Sequence, residues 1–328
     1  MTLRVVPRST TLTKLVLRTD VPELPEVETV RAGLAAHVLG RRIADVAVLR
    51  DYSIRHQRGG VSELADFVTN TTITEVARRG KFMWLVLDRG VATGGQDPAF
   101  AVLVHLGMSG QLRINDIDTS ASAHTRVRLA LTTGSQRDEP VLLDFVDQRT
   151  FGYIAAVPLV PTEDGRAGGV GTAAALVPDR AAHIARDLLD PALDLDQTVQ
   201  NIRAKRSAIK RVLLDQRVVA GVGNIYADEA LWRARLHGER SANTLSRAKV
   251  LEVLQSAQDV MADALEQGGT SFDSLYVNVN GESGYFSRSL AVYGRVGRPC
   301  LNCQTPIARA AFANRSSHYC PRCQRKHR

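Results

Sequence analysis

Cys300-Leu301-Asn302-Cys303 and, after sixteen intervening residues, Cys320-Pro321-Arg322-Cys323 stand close to the end of a 328-residue chain. Two Cys-x-x-Cys knuckles at this spacing are the pattern of a four-thiolate zinc ribbon, in which a short hairpin supplies four soft donors to one tetrahedral Zn2+ ion. Four protein ligands complete the shell, so the expected site is structural and keeps no open position for a catalytic water. Its purpose is to stiffen a hairpin too short to bury a core of its own. Free or disulfide-bonded cysteines fit less well: the first twenty residues lack an apolar signal-peptide core, and paired cysteines in a reducing compartment are better read as metal ligands.

The residues around the knuckles are basic. From Arg295 to Arg328 there is no Asp or Glu, whereas Arg295, Arg298, Arg309, Arg315, Arg322, Arg325, Lys326 and Arg328 are cationic. A stiffened ribbon of this charge can carry Arg315 and its neighbours to phosphates. Over the whole chain 42 Lys and Arg oppose 34 Asp and Glu, a net charge of +8, which suits a polyanionic partner without identifying one. The length and a hydrophobic content of 44% allow two ordinary domains with buried cores. No apolar run is long enough to span a bilayer, so a soluble intracellular protein is expected, with no membrane partner.

Further toward the N-terminus the pattern changes twice. Val27, Val30, Leu34 and Val38 recur at helical spacing between Pro25, a good first-turn residue, and Gly40, a stop signal. Short apolar runs then follow at Ile43–Leu49, Phe82–Leu87, Ala101–Leu106, Val127–Leu131 and Val141–Phe145, which read as strands of a β-sandwich or barrel. A Gly/Ala/Pro-rich stretch from Pro158 to Ala175 reads as a linker or inserted loop, and the region from Ala185 to Gln267 is helical in pattern.

Three loops carry residues of interest. Gly221-Val222-Gly223-Asn224 opens a helix, and its free amides beside Lys205 and Lys210 suit a phosphate, although a tight helix–helix turn would look the same. His105-Leu106-Gly107-Met108-Ser109-Gly110 and Asp147-Gln148-Arg149-Thr150-Phe151-Gly152 each follow a strand and project Met, Arg and Phe, side chains that can wedge into a base stack.

Val21-Pro22-Glu23-Leu24-Pro25-Glu26-Val27-Glu28-Thr29-Val30-Arg31 resembles the mature N-terminus of formamidopyrimidine-DNA glycosylases, bacterial enzymes that remove 8-oxoguanine and ring-opened purines. The resemblance runs from Pro22 to the C-terminus through Lys81, the Met108 loop, Arg149 and Phe151, Asn224, a lid region from Gly268 to Phe286, and the ribbon with Arg315. It implies an α+β protein: an extension over 1–21, non-native or cleaved; a catalytic N-terminal β-sandwich with flanking helices over 22–155; a linker over 156–190; a helix-two-turn-helix DNA-binding domain with a lesion lid over 191–290; and a zinc finger over 291–328.

The resemblance also implies roles. Pro22 matches the nucleophile, whose secondary amine attacks the sugar C1′; an α-amine titrates near 7.7–8.0, so an appreciable neutral fraction exists at pH 7. Glu23 matches the proton donor and Glu26 its neighbouring carboxylate, and a general acid here must keep its proton near neutrality, which burial and a nearby like charge favour. Lys81 and Arg315 match residues of the β- and δ-elimination steps. His124, Lys205, Lys210 and Asn224 match DNA contacts, while Met108, Arg149 and Phe151 resemble the trio that fills the gap left by a flipped base. The partner implied is duplex DNA with an oxidised purine opposite cytosine, bound by a monomer in the bacterial cytoplasm and through DNA at the nucleoid. Thr150, Gly238 after His237, and long loops near 90–98 and 162–172 depart from the family pattern. The endonuclease VIII-like branch, which prefers oxidised pyrimidines, fits Leu24-Pro25-Glu26 and the complete Met/Arg/Phe trio less well.

A nucleophilic Pro22 needs a free amine. Translation is therefore expected to begin at Val21, read from a GTG codon and followed by removal of the initiator residue; a cleaved leader is the alternative. Arginine outnumbers lysine 36 to 6, the mark of a GC-rich genome, and loss of the first 21 residues lowers the net charge from +8 to +5. Were Pro22 instead held in an amide, the chain would be a zinc-containing DNA-binding paralogue without catalysis.

Overall fold

The computed structural model describes residues 22–90, 99–133, 139–268 and 289–326. The extension with Val21, nearly all of the 90–98 loop and nearly all of the lid region lie outside the described residues.

Helix α1 (Leu24–Val38) begins at the stretch that carries the resemblance. Pro25 sits in the first turn, where a missing N–H costs nothing, and the Glu26 carboxylate accepts the Glu23 N–H at 2.9 Å. Val27, Val30, Leu34 and Val38 are all buried, and Gly40, at φ +75°, ends the turn. The helix packs on β2 (Thr72–Arg79) and on α6 (Arg247–Glu266), so it lies at the junction of the two halves of the molecule.

The sheet is antiparallel and nine-stranded. Beside β2 it comprises β1 (Arg41–Val48), β3 (Phe82–Asp88), β4 (Phe100–His105), β5 (Gly110–Asp116), β6 (Thr125–Thr133), β7 (Val141–Asp147), β8 (Tyr153–Pro161) and β9 (Leu176–Pro178), in the order β5-β7-β6-β1-β2-β3-β4-β8-β9. β1 and β2 share a single register pair, Arg42 with Thr72, whereas β1 pairs with β6 along its length. The sheet turns a corner there and folds into two layers: Leu85, Val102, Val104 and Ile154 of one half share a core with Leu112, Val127, Leu143 and Phe145 of the other. That is the expected sandwich. A short helix, α2 (Gly60–Val68), closes one side through Leu64 and Val68.

The stretch read as a linker is built differently. Strands β8 and β9 occupy part of 156–190, and between them Val170 exchanges both backbone hydrogen bonds with Arg78 of β2 at 2.9 Å. The glycines that read as a linker or inserted loop are there for close approach: a Cβ at Gly169 would lie 2.1 Å from the Arg78 carbonyl oxygen. Arg79 donates to the Gly168 carbonyl at 2.7 Å, and Arg186 pairs with Asp164 and Asp190, each at 2.7 Å. This segment is laced onto the sheet by buried polar groups.

The second half holds α3 (Leu195–Arg203), α4 (Ile209–Leu213), α5 (Asn224–Arg233) and α6. Asp194 and Ser246 cap α3 and α6 by accepting the N–H groups of Gln197 and Lys249 at 2.9 and 3.1 Å. Helix α5 is buried from Ile225 to Trp232, so it has no solvent face over that span. Leu24 belongs to this helical core rather than to the sandwich. The chain ends in a hairpin, β10 (Ala308–Phe312) and β11 (Arg315–Tyr319), whose turn residues Ala313 and Asn314 both have positive φ, 44° and 62°. No helix among the described residues is long and apolar enough to cross a membrane.

Candidate active site

Pro22 and Glu23 are buried where the sandwich meets the helical half. The Leu24 N–H donates to the Gly221 carbonyl at 3.2 Å, and the Glu23 carboxylate accepts the N–H groups of Ile225 and Tyr226 at 3.0 and 3.4 Å. These amides open α5, where a partial positive charge favours an anion. The glycine turn read as a phosphate site is thus filled from within the chain. Its glycines are steric requirements, since a Cβ at Gly223 would lie 2.1 Å from the Glu23 carboxyl carbon and one at Gly221 2.4 Å from Leu24 Cδ1. Tyr226 donates its hydroxyl to Glu26 at 2.9 Å, a partner the sequence reading missed, although Tyr226 follows Asn224 in the same turn.

Burial raises the Glu23 pKa to about 7, against the opposing pull of the nearby Lys81 charge and the two amides; the Glu26 charge adds a little in the upward direction. Lys81 stands in the turn between β2 and β3, half-buried, and desolvation holds its ammonium below the usual lysine range, with Arg315 pushing the same way and Glu23 opposing. The same surroundings lower the His105 pKa to about 4, chiefly by burial and then by the Lys81 charge. The junction therefore brings together Pro22, Glu23, Glu26 and Lys81, with a carboxyl group able to hold or release a proton at neutral pH.

Arg315 is exposed at the start of β11 and near enough for its charge to act on Lys81 and Lys210. Its neighbour Ser316 accepts from Asn224 Nδ2 at 3.0 Å and from Lys210 Nζ at 3.1 Å, which fixes the hairpin tip beside the start of α5. Lys210 departs from the sequence reading. It is completely buried, paired with Asp228, and so braces the hairpin rather than presenting a charge to phosphates. A buried ammonium needs such a partner, and Asp228, also fully buried, accepts from His318 N as well, at 2.8 Å. Asn224 is likewise engaged with the hairpin. Lys205 is exposed, on the loop between α3 and α4.

Met108, Arg149, Phe151 and His124 lie on neighbouring loops. Buried Asp147 joins them: its carboxylate accepts from Ser109 Oγ, from Arg149 N at 3.2 Å and from Gly152 N at 2.7 Å, and its own N–H donates to the His124 carbonyl at 2.9 Å. Phe151 is 49% exposed, and Met108 and Arg149 are half-buried. Gly107 has φ +64°, and a Cβ there would lie 2.6 Å from Gly152 N, so the two loops touch.

The four cysteine sulfurs lie within 4.8 Å of one another. A tetrahedral zinc with bonds of about 2.3 Å separates its sulfurs by about 3.8 Å; the pairs Cys300–Cys323 and Cys303–Cys320 stand at 4.0 and 3.4 Å. The residues fit one zinc ion held by Cys300, Cys303, Cys320 and Cys323. Trp232 Nε1 donates to Cys300 Sγ at 3.4 Å, tying the end of α5 to the ribbon.

Comparison with known proteins matches the family model of the formamidopyrimidine-DNA glycosylase N-terminal domain to residues 21–154, the H2TH domain of the same glycosylases to 184–275, and the zinc finger found in FPG and IleRS to 297–325. The formamidopyrimidine-DNA glycosylase of Rhodococcus jostii is 51% identical over 93% of this chain and 96% of its own length. That of Mycolicibacterium vanbaalenii is 52% identical over 93% and 98%. Lactococcus lactis Fpg in complex with an abasic-site-containing DNA superposes with a TM-score of 0.73 at 27% identity, covering 93% of this chain and all of that one. A mutant of the same protein bound to a Fapy-dG-containing DNA gives 0.75 at the same identity and coverage. Identity at this level across nearly the whole length, with the three domains in order, makes the chain a member of the formamidopyrimidine-DNA glycosylase family.

Proposed function

We propose that this protein is a bifunctional DNA glycosylase and abasic-site lyase that excises oxidised purines, 8-oxoguanine and formamidopyrimidines, paired with cytosine in duplex DNA. The free amine of Pro22 attacks C1′; the N–C1′ bond forms as the glycosidic bond breaks, and the departing base takes up a proton. Loss of the amine proton and opening of the sugar leave an iminium on Pro22, an electron sink for β-elimination of the 3′ phosphate and δ-elimination of the 5′ phosphate. Glu23 serves the proton transfers near C1′, and Lys81 with Arg315 serves the eliminations and holds the flanking phosphates. Met108, Arg149 and Phe151 fill the vacated stack, with Arg149 on the orphaned cytosine and His124 and Lys205 on the backbone.

The observation that carries this reading is the seat of Glu23: adjacent to Pro22, its carboxyl is buried on the amides of Ile225 and Tyr226, and this burial raises its pKa to about 7, where a group can give and take a proton at neutral pH. The domain limits drawn above, action as a monomer, and a cytoplasmic, nucleoid-associated location belong to the same proposal. Borohydride trapping tests it: protein beginning at Pro22 should become covalently joined to an 8-oxoguanine:cytosine duplex, and Pro22→Gly should trap less. Stable DNA binding with no trapped adduct would instead establish the non-catalytic reading.

A further inference from the structure

We propose that Asp187 is a positioning residue for Lys81, and that it governs how efficiently strand cleavage follows base removal. The inference rests on the assignment of Lys81 to the elimination steps. Asp187 lies in the segment read as a linker, more than a hundred residues from Lys81 in sequence, and is completely buried. Its Oδ2 accepts the Gly80 N–H at 2.9 Å and Arg78 Nη1 at 2.7 Å, so both bonds hold the turn that presents Lys81. Its Oδ1 accepts the Leu189 N–H at 3.2 Å.

The same residue reaches the other side of the junction. Asp187 forms an isolated β-bridge with Ala220, and the Ala220 N–H donates to the Arg186 carbonyl at 3.2 Å. Ala220 enters the glycine turn on which Leu24 and Glu23 are seated. The two turns touch, because a Cβ on Gly80 would stand 2.7 Å from Ala220 Cβ. Arg78, itself buried, also bonds Glu28 of α1 at 2.7 Å and so ties the helix that begins beside Pro22 into the same cross-link. One carboxylate thus sets Lys81 relative to Glu23, with no role for its charge in the chemistry. Gly80 leaves little freedom for compensation: its φ is +56°, and its amide has no other hydrogen-bond acceptor among the described residues.

Single-turnover assays on one 8-oxoguanine:cytosine duplex can count base release and direct strand breaks separately. Asp187→Ala should lower strand breaks per base released about tenfold or more, since displacements of an ångström cost up to about a hundredfold in rate. Asp187→Asn, which keeps a carbonyl oxygen for the Gly80 N–H, should restore most of that ratio. Asp190→Asn perturbs the same network through Arg186 without touching Gly80 and should leave the ratio unchanged. Combined with Lys81→Ala, the Asp187 change should add nothing further. A normal ratio in Asp187→Ala beside a lowered one in Lys81→Ala overturns the inference alone; a normal ratio in Lys81→Ala overturns the reading on which it rests. Where Asp187→Ala does not accumulate, a purified Asp187→Asn that loses the ratio as fully as Lys81→Ala overturns the proposed hydrogen-bond role.

Discussion

At its N-terminal end α5 receives the Glu23 carboxyl on two amides, with no cation at ion-pair distance among the described residues; one turn further along the same helix, Asp228 is paired with Lys210 and accepts from the ribbon. Glu229 beside it accepts three backbone N–H groups, from Ala291, Val292 and Tyr293, at 2.8–2.9 Å. Both carboxyls, Glu23 and Asp228, are buried, but only the second has a direct counter-ion. A carboxyl left without full compensation keeps its proton to higher pH and can do chemistry, whereas a compensated one can only hold things in place. Glu23 and Asp228 differ in this respect although one helix serves both, while Glu229, held by three amides without a cation at ion-pair distance among the described residues, has its pKa raised by burial as Glu23 does.

The metal end should show the largest effect. Structural zinc in finger peptides contributes about 10–16 kcal/mol of folding free energy at pH 7. Chelation or Cys320→Ser should therefore melt the ribbon, displace Arg315 and abolish specific DNA binding, while the sandwich stays folded by circular dichroism. Elemental analysis of active protein should find one zinc per chain, and active protein with no stoichiometric metal would refute the ribbon's role.

At the opposite end, Glu23→Gln should lower base excision about 10²–10⁴-fold, the usual contribution of a general acid or base. The stability change has the opposite sign. Because the folded-state pKa is raised from 4.5 to about 7, the stabilisation Glu23 provides is complete below pH 4.5 and lost as pH rises through 7, a swing of about 3 kcal/mol. Glu23→Gln should escape that loss and melt higher than wild type at pH 8. Thermal melts at pH 5 and pH 8 read the difference, and an equal offset at both would mean that Glu23 has an ordinary pKa.

Lys210→Met leaves Asp228 buried without its main partner and should cost about 3–5 kcal/mol. Its slope of log affinity against log salt should match wild type, because the ammonium does not face solvent. Lys205→Ala should do the reverse, leaving the melting temperature alone and reducing the slope by about one. A reduced slope in Lys210→Met would return that residue to the DNA-contacting set.

The smallest effect falls on recognition. Arg149→Ala should weaken the preference for cytosine opposite the lesion by about 1–3 kcal/mol, the range of one good base contact, and should affect excision less. Met108→Ala should slow excision at unchanged non-specific affinity. Opposite-base preference unchanged in Arg149→Ala would remove that residue from the wedge.

Local patterns made much of this molecule legible. The cysteine spacing, the Val27–Val38 stripe and the apolar runs of β1, β3, β4, β6 and β7 each rest on short-range periodicity, and each is found where expected. β2 escaped notice because its final residues, Ala77, Arg78 and Arg79, are all buried, two of them charged, so polarity and burial do not alternate. β8 and β9 are hidden in the sequence by Pro158 and the glycines around 168–171, which read as a linker or inserted loop until the sheet beside them is seen.

What the sequence determined alone was the inventory: the ribbon, the helix after Pro22, most of the strands, and through family resemblance a set of candidate site residues. Only tertiary structure decided their condition. Glu23 is seated on the amides of residues about two hundred positions away, Lys210 is spent on Asp228, and Asp187 reaches both sides of the junction. The reason is that burial and charge compensation are properties of surroundings assembled from distant segments, and a residue's identity does not reveal which of its possible partners the fold will bring to it.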